Sequence, residues 1–502
     1  MTRNRQGKRD RRSPFVGREE YLGKLAAVWK RKRAALAVCV GRRRIGKSRL
    51  IQEFSSRHAE HFLEFQGLPP RKGQTNEDQL RHFAERLAEY MHLDEPVALK
   101  NWTQAFALLA QLIPSRGRTV VLLDEISWMG RHDRDFAGRI KDAWDTRFST
   151  HPNVLLVLCG SVSAWIEQNI LHSTGFLDRP TLRINLPELS LLESNTLVWA
   201  GKQRVSVLEK LRMLAVTGGV PRYLEELDPR QSASDNIQRL CFDPTGALFR
   251  NRDGLSEFEL IFAEVFQSRA RAYRAIVETL ASGRRTLVEI CHTIGRSRSG
   301  VLNAYFQDLE LAGYLREEPH FSVGRGERKG SHYRLRDNYL RFYLKYIEPR
   351  RKAIAQGRFR VASLDNLPGW NAILGLQFEN LVLNSQGLIE EKLGIAGKVI
   401  QGGPYVQAAT KRRRGCQIDL LLETEHSLYV CEVKLKKSIG AEVMAELTGK
   451  IERLVIPRSG RHLNVFPILI YAGGVDPAVR NTDFFHSVVD FGGTLSANGG
   501  SP

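Results

Sequence analysis

AALAVCVGRRRIGKSRL, residues 34–50, is the stretch from which the rest of the chain is read. Its opening, AALAVCV, is small, apolar and partly β-branched, the pattern of a parallel strand buried on both faces. The strand breaks into Gly41, Arg42, Arg43, Arg44, Ile45, Gly46, Lys47 and Ser48, followed by Arg49, and satisfies GxxxxGK[ST] at every fixed position. The glycines let the backbone wrap with its N–H groups turned inward, and a helix opening near Lys47 points its positive end at the enclosed space. That geometry suits nucleotide phosphates. Lys47 reaches the β- and γ-phosphates and the Ser48 hydroxyl ligates a divalent cation, so ATP and Mg²⁺ are the expected cofactors.

Two further strands support the same site. TVVLLDE, residues 119–125, is apolar until it ends in two acids. Asp124, held rigidly at the carboxyl end, binds the Mg²⁺ water shell, and Glu125 is placed as general base for an attacking water. NVLLVLCGS, residues 153–161, is another buried strand, and helices are expected over residues 81–91 and 102–113.

Composition bounds the remainder. At 502 residues the chain suggests about three domains. Hydrophobic content of 42% with 26% charged residues describes a soluble globular protein. A formal charge of +20 favours a polyanionic partner, most simply nucleic acid and here DNA. No apolar run approaches the roughly 18 residues of a membrane span, so no membrane partner is expected. MTRNRQGKRDRRSP, residues 1–14, is a basic arm without an apolar segment behind it, unlike a secretory signal. Six cysteines are scattered singly, Cys39, Cys159, Cys241, Cys291, Cys416 and Cys431, and read as core residues of a reducing, cytoplasmic protein.

Several short motifs carry a family likeness. FVGREE, residues 15–20, leads into an amphipathic helix with Leu22, Leu25 and Val28, and GGVPRYL, residues 218–224, closes the first domain. With the phosphate loop, these resemble the archaeal-type P-loop ATPase family, within the STAND and AAA+ branches, over residues 15–227. The resemblance implies that residues 15–20 sit against the adenine and that a polar sensor lies beside the γ-phosphate. Ser161 or Ser163 is the candidate sensor, with a simple strand-to-helix cap as the alternative. It also implies an arginine finger, here Arg179 within FLDRP, acting in cis or on a neighbouring copy in a homo-oligomer; a surface salt bridge is the alternative. Arg222 is the candidate second sensor.

From residue 270 the pattern changes. Helices over 271–282, 286–294 and 296–312, then a hairpin around GRGERKG (residues 324–330), read as a winged helix-turn-helix. Val301, Leu302, Tyr305 and Leu309 are expected to face inward. If the module reads DNA, Arg296, Arg298, Ser299 and Asn303 face the groove and Arg325, Arg328 and Lys329 on the wing hold phosphate. The alternative is a packing module for the nucleotide domain with a solvated wing.

The last third starts with DNYLRFYLKYI, residues 337–347, an aromatic helix, then a basic linker. A helix carries Glu379; the basic run Lys411, Arg412, Arg413 and Arg414 precedes QIDLLL with Asp419; and LYVCEVK brings Glu432 and Lys434. This order, helix Glu, strand Asp, then Glu-x-Lys, resembles the PD-(D/E)xK restriction-endonuclease-like family over residues 375–471, although Ile418 stands where the leading proline would be. Neighbouring strands bring Asp419 and Glu432 to one hard cation, with Glu379 completing the acidic shell. Strand alternation puts Lys434 on the same face as Glu432, next to the attacking water.

The expected fold class is therefore α/β: a P-loop parallel-sheet ATPase domain (15–228) after the arm (1–14), an all-α and winged-helix middle (229–348), a linker (349–372), an α/β restriction-endonuclease-like domain (373–490) and a flexible tail (491–502). The expected function is an ATP-binding, ATP-hydrolysing protein that binds DNA and cuts it with a metal-dependent site. The alternatives are a nucleotide-driven DNA-binding switch and a regulatory scaffold without nuclease activity.

Overall fold

A computed structural model describes residues 14–496, apart from 72, 162–163, 172, 177, 202–204, 251–255, 266–268, 325, 412–413, 458–459 and 461. The apolar runs of the first third become β1 (Ala35–Gly41), β2 (His61–Gln66), β3 (Thr119–Asp124), β4 (Val154–Ser161) and β5 (Leu182–Leu186). They form one parallel sheet in the order β2-β3-β4-β1-β5. Every residue of β1, β3 and β4 is buried, because helices cover both faces. The helices Glu19–Trp29 and Lys47–His58 pack on one side through Leu25, Leu50 and Phe54. Asn76–Met91, Trp102–Gln111 and Phe136–Thr146 pack on the other through Phe83, Phe106 and Ile140. The first of these starts earlier than its apolar pattern suggests, because a Thr75–Asp78 capping box secures a polar first turn. The sheet carries the phosphate loop at the carboxyl end of β1, beside the ends of β3 and β4, which is the architecture of a P-loop ATPase domain.

Three helices, Leu191–Trp199, Val207–Thr217 and Ala233–Cys241, follow the sheet. The middle of the chain then gives Ala270–Leu280, Leu287–Ile294 and Gly300–Leu311, with β6 (Arg285–Thr286), β7 (Leu315–Ser322) and β8 (Gly326–Leu335) in the order β6-β8-β7. The third helix starts at Gly300, with Ser299 accepting the Leu302 N–H as its cap, so Arg296 and Arg298 precede the helix. Val301 is 59% exposed rather than inward. Adjacent helical residues point about 100° apart, and Leu302, Tyr305 and Leu309 take the buried face.

The last sheet comprises β9 (Val399–Gln407), β10 (Cys416–Thr424), β11 (Ser427–Ile439), β12 (Asn464–Val475) and β13 (Ser487–Asp490), ordered β13-β12-β11-β10-β9. β9, β10 and β11 run antiparallel, while β11, β12 and β13 are parallel. Helix Trp370–Asn384 covers one face and Glu442–Arg453 the other.

Two expected spacers are packed structure instead. Within 349–372, Ile354, Leu364 and Leu367 are buried, Arg351 pairs with Glu259 at 2.6 Å and Asp365 with Arg212 at 2.9 Å. In the expected tail, Phe491 and Leu495 are fully buried, and Lys210 Nζ donates to Leu495 O at 2.6 Å. Sparse apolar residues in polar stretches suffice to dock them. One apolar core accordingly runs from Leu189 through the helices and hairpin of the middle segment to Leu495. No helix among the described residues is long and apolar enough to cross a membrane.

Candidate functional site

The phosphate loop is shaped by its two glycines. Gly41 leaves β1 at φ 157° and Gly46 enters the next helix at φ 88°. A Cβ on Gly41 would lie 2.6 Å from the Leu186 carbonyl of β5. Lys47 Nζ donates to the carbonyls of Gly41 and Arg42 at 3.2 and 3.1 Å. Ser48 Oγ donates to Asp124 at 2.5 Å, joining the loop to the end of β3. Glu125, in left-handed backbone at φ 49°, accepts the Ser161 N–H from the end of β4 at 3.4 Å. Burial pushes the Glu125 carboxyl pKa up and the nearby Lys47 charge opposes the shift. Lys47, Ser48, Asp124, Glu125 and Ser161 are thus brought together, and a hydroxyl beside a carboxylate is a donor set that fits Mg²⁺. Ser163 lies outside the described residues.

A cavity of about 320 Å³ opens beside the loop, lined among others by Phe15, Val16, Gly46, Ser48, Leu189 and Arg222. Its size suits a nucleoside. Buried Arg18 closes its floor, donating to the Pro187 carbonyl at 2.7 Å, while its own N–H donates to Glu193 at 2.8 Å. Gly17 has φ 69°, and a Cβ there would overlap the Glu193 carboxylate. Arg222 reaches this cavity but pairs with Glu226 at 2.6 Å, and Arg49 pairs with Glu225 at 2.5 Å.

The sequence reading assigns the phosphate contacts to the loop backbone, and the side chains of the loop arginines are engaged elsewhere. Arg42 is buried away from the phosphate space, 2.5 Å from Asp337 and 2.9 Å from Glu188, beside the rings of Tyr223 and Tyr314. Arg43 and Arg44 meet Glu257 at 3.6 and 3.1 Å. A cradle turns its N–H groups inward, so these positions offer their backbone to a phosphate, while Arg44 also lines the cavity beside the loop. Arg179 forms a two-pronged pair with Asp145, both bonds 2.8 Å, which is the salt bridge rather than a free finger.

In the last sheet, Leu420 faces Cys431, which sets Asp419 opposite Glu432. Glu432 is 2% exposed. Lys434 Nζ lies 2.8 Å from Glu432 and 2.7 Å from Glu446. Lys450, from the helix Glu442–Arg453, lies 2.5 Å from Glu432 and 3.8 Å from Asp419. The Val433 N–H donates to Asp419 at 2.9 Å. Burial, then the charges of Glu432 and Glu379, push the Asp419 pKa up to about 7, with Lys450 offsetting part of the rise. Burial opposes the Lys434 charge, but its bonds to Glu432 and Glu446 outweigh that and raise its pKa.

Glu379 does not complete the expected acidic shell. Arg284, just ahead of β6, takes its carboxylate and also lies 3.3 Å from Glu318. Among the described residues, no group of three or more His, Cys, Asp or Glu side chains is placed to hold a metal ion. Asp419 and Glu432 still offer oxygen donors that fit a hard divalent cation, with the Lys450 ammonium now against both. Lys450 and Arg284 escaped the sequence reading. For Lys450 a signal existed: Glu446 and Lys450 are spaced i, i+4 on the first helix after Lys434.

Arg296, Arg298, Ser299 and Asn303 are all exposed, as are Lys411 and Arg414; Arg412, Arg413 and Arg325 lie outside the described residues, as do the side chains of Arg328 and Lys329. The β7–β8 hairpin is docked where its turn begins. Val323 in its turn is fully buried with Tyr405 and Ile418, and the Gly324 N–H donates to Glu423 of β10 at 2.9 Å. An apolar valine inside an otherwise basic turn is what anchors it.

No family model matches the chain. A protein of Methanocaldococcus jannaschii described as uncharacterized is 23% identical over 373 residues, 73% of this chain and 76% of that one. The Walker-type ATPase of Pyrococcus abyssi is similar in structure with a TM-score of 0.48, at 17% identity, over 67% of this chain and 99% of its own. The ORC2 protein of Aeropyrum pernix, solved as ADPNP–ADP complexes, has a TM-score of 0.41 at 14% identity, over 70% and 97% of the two chains.

Proposed function

We propose that the chain is a Mg²⁺-dependent ATPase that binds DNA and cleaves it at a metal-dependent centre built from Asp419, Glu432 and Lys434. The observation that carries the ATPase reading is the 2.5 Å bond from Ser48 to Asp124, with the Lys47 charge acting on neighbouring Glu125. In this reading Lys47 holds the β- and γ-phosphates, Ser48 and Asp124 hold the cation, and Glu125 takes the proton of the attacking water. Mg²⁺, when bound, supplies charge neutralisation at the phosphate oxygens. DNA binding is supported by the +20 charge and by exposed Arg296, Arg298 and Asn303.

Lys47→Ala is expected to leave the fold intact and weaken ATP binding roughly a hundredfold, since it removes the cation facing the phosphates. A fluorescent-nucleotide titration that returned wild-type affinity would refute the site. Glu125→Gln is expected to bind ATP normally and hydrolyse it roughly 10²–10⁴-fold more slowly. Unchanged phosphate release in that variant would move the base elsewhere.

A specific observation also favours the second reading, a nucleotide-driven DNA-binding switch without cleavage: basic side chains, Lys450 and Arg284, already hold the acids of the C-terminal site. Incubating varied DNA and RNA with Mg²⁺ or Mn²⁺, with and without ATP, separates the two. Binding without cleavage under every condition selects the switch.

A further inference from the structure

We propose that the cavity between the β7–β8 hairpin and the C-terminal module is a second phosphate site, anchored by Arg336 and Arg316 and separate from the phosphate loop. It requires neither the ATPase nor the nuclease reading.

The cavity measures about 400 Å³ and is walled by Arg316, Arg334 and Arg336 on one side and by Asn384, Gly402 and Gly403 on the other. That volume suits a mononucleotide or the end of a strand. Gly402 and Gly403 keep the far wall free of side chains; a Cβ on Gly402 would meet the ends of the Leu422 and Gln386 side chains at 2.6 and 2.8 Å.

Charge decides the ligand class. The Arg336 side chain makes no hydrogen bond or ion pair among the described residues, although its backbone carbonyl accepts from Asn380 and Asn384. Burial lowers its pKa, and Arg334, Arg316 and Arg42 add repulsion; Glu188 alone among the strongest influences acts in its favour. Glu188 is itself committed to Arg42. The acids on the cavity wall are engaged: Glu318 with Arg334 and Arg284, and Glu317 with the Ser331 hydroxyl at 2.5 Å. Arg316, at the mouth, has only a loose 3.6 Å pair with Glu310. A half-enclosed guanidinium with three arginines against it and one carboxylate, shared with Arg42, in its favour is costly unless a further anion neutralises it. Two guanidiniums with forked donors match a phosphate better than a single-point anion.

A phosphate monoester has two sources, a free nucleotide or the phosphorylated end of a nucleic acid strand. The test uses the full chain carrying Lys47→Ala, so that the phosphate loop is silenced. Inorganic phosphate, thymidine monophosphate, and a short oligonucleotide with a 5′-phosphate or a 5′-hydroxyl are titrated by calorimetry. Phosphate-bearing probes are expected to bind, and Arg336→Gln and Arg316→Gln each to weaken them by about tenfold or more. Without ligand, Arg336→Gln is expected to unfold no earlier than its parent, because it removes an unneutralised cation. Binding of the small probes identifies a free ligand and binding of the 5′-phosphorylated oligonucleotide alone identifies a strand end; either supports the site. Absence of phosphate binding, or binding that survives Arg336→Gln, overturns it. Arg316 is 61% exposed with only a loose pair to Glu310, so its variant is expected to fold and keeps the test decisive if Arg336→Gln misfolds.

Discussion

Asp337→Ala is expected to destabilise the chain by about 3–5 kcal/mol, the cost of stranding one partner of a buried ion pair. Asp337 is fully buried, 2.5 Å from the Arg42 guanidinium of the phosphate loop. It also caps the helix Asn338–Phe342 by accepting the Leu340 N–H at 2.8 Å. Removing the carboxylate leaves Arg42 charged and enclosed, with only Glu188 to answer it. Asp337→Asn keeps the cap and removes the charge, so it should fall between wild type and alanine. Combining Asp337→Leu with Arg42→Met should recover most of the loss, because an apolar pair needs no compensating charge. Urea unfolding followed at several probes measures all four chains. A double variant no more stable than Asp337→Ala would mean that the two residues are not a coupled pair, and the contact would not be what ties the loop to the segment after β8.

That tie shows where sequence reading stops. β1, the glycine loop and β3 are local patterns, so the grouping of Ser48, Asp124 and Glu125 beside that loop was legible from motif and order. Arg42, Arg43 and Arg44 occupy the variable positions of the motif, and nothing local says that their partners are Asp337 and Glu257. The same holds for Glu379. Its helix was visible, but its capture by Arg284 depends on how the middle segment docks against the C-terminal module. The pairing of Asp419 with Glu432 was legible because one short turn joins their strands, fixing the register. Docking of Leu495 against Lys210 was not, since a polar terminal stretch with few apolar residues has no periodicity to read.

The C-terminal cluster supplies the other large expected effect. Asp419→Ala should abolish metal-dependent phosphodiester cleavage and metal binding at this sheet, leaving ATP turnover unchanged. Lys434→Met should still bind metal and cut roughly 10²–10³-fold more slowly, the loss that follows removal of one donor to developing charge. Lys450 distinguishes this site from a bare acidic pair. Its ammonium, 2.5 Å from Glu432 and 3.8 Å from Asp419, stands where an incoming cation must neutralise the same oxygens. Two like charges that close repel strongly in a half-buried site. Lys450→Met should therefore tighten Mn²⁺ binding by about tenfold, read by calorimetry on the full chain. Lys434 is braced by Glu446 as well as Glu432, whereas the carboxylates that Lys450 meets, Glu432 and Asp419, are the two that would hold the cation. If Lys450→Met instead lost cleavage with metal affinity unchanged, Lys450 would join Lys434 in facing the transition-state charge. If cleavage survived Asp419→Ala, the cluster would be a structural ion network and the cutting centre would lie elsewhere in the chain.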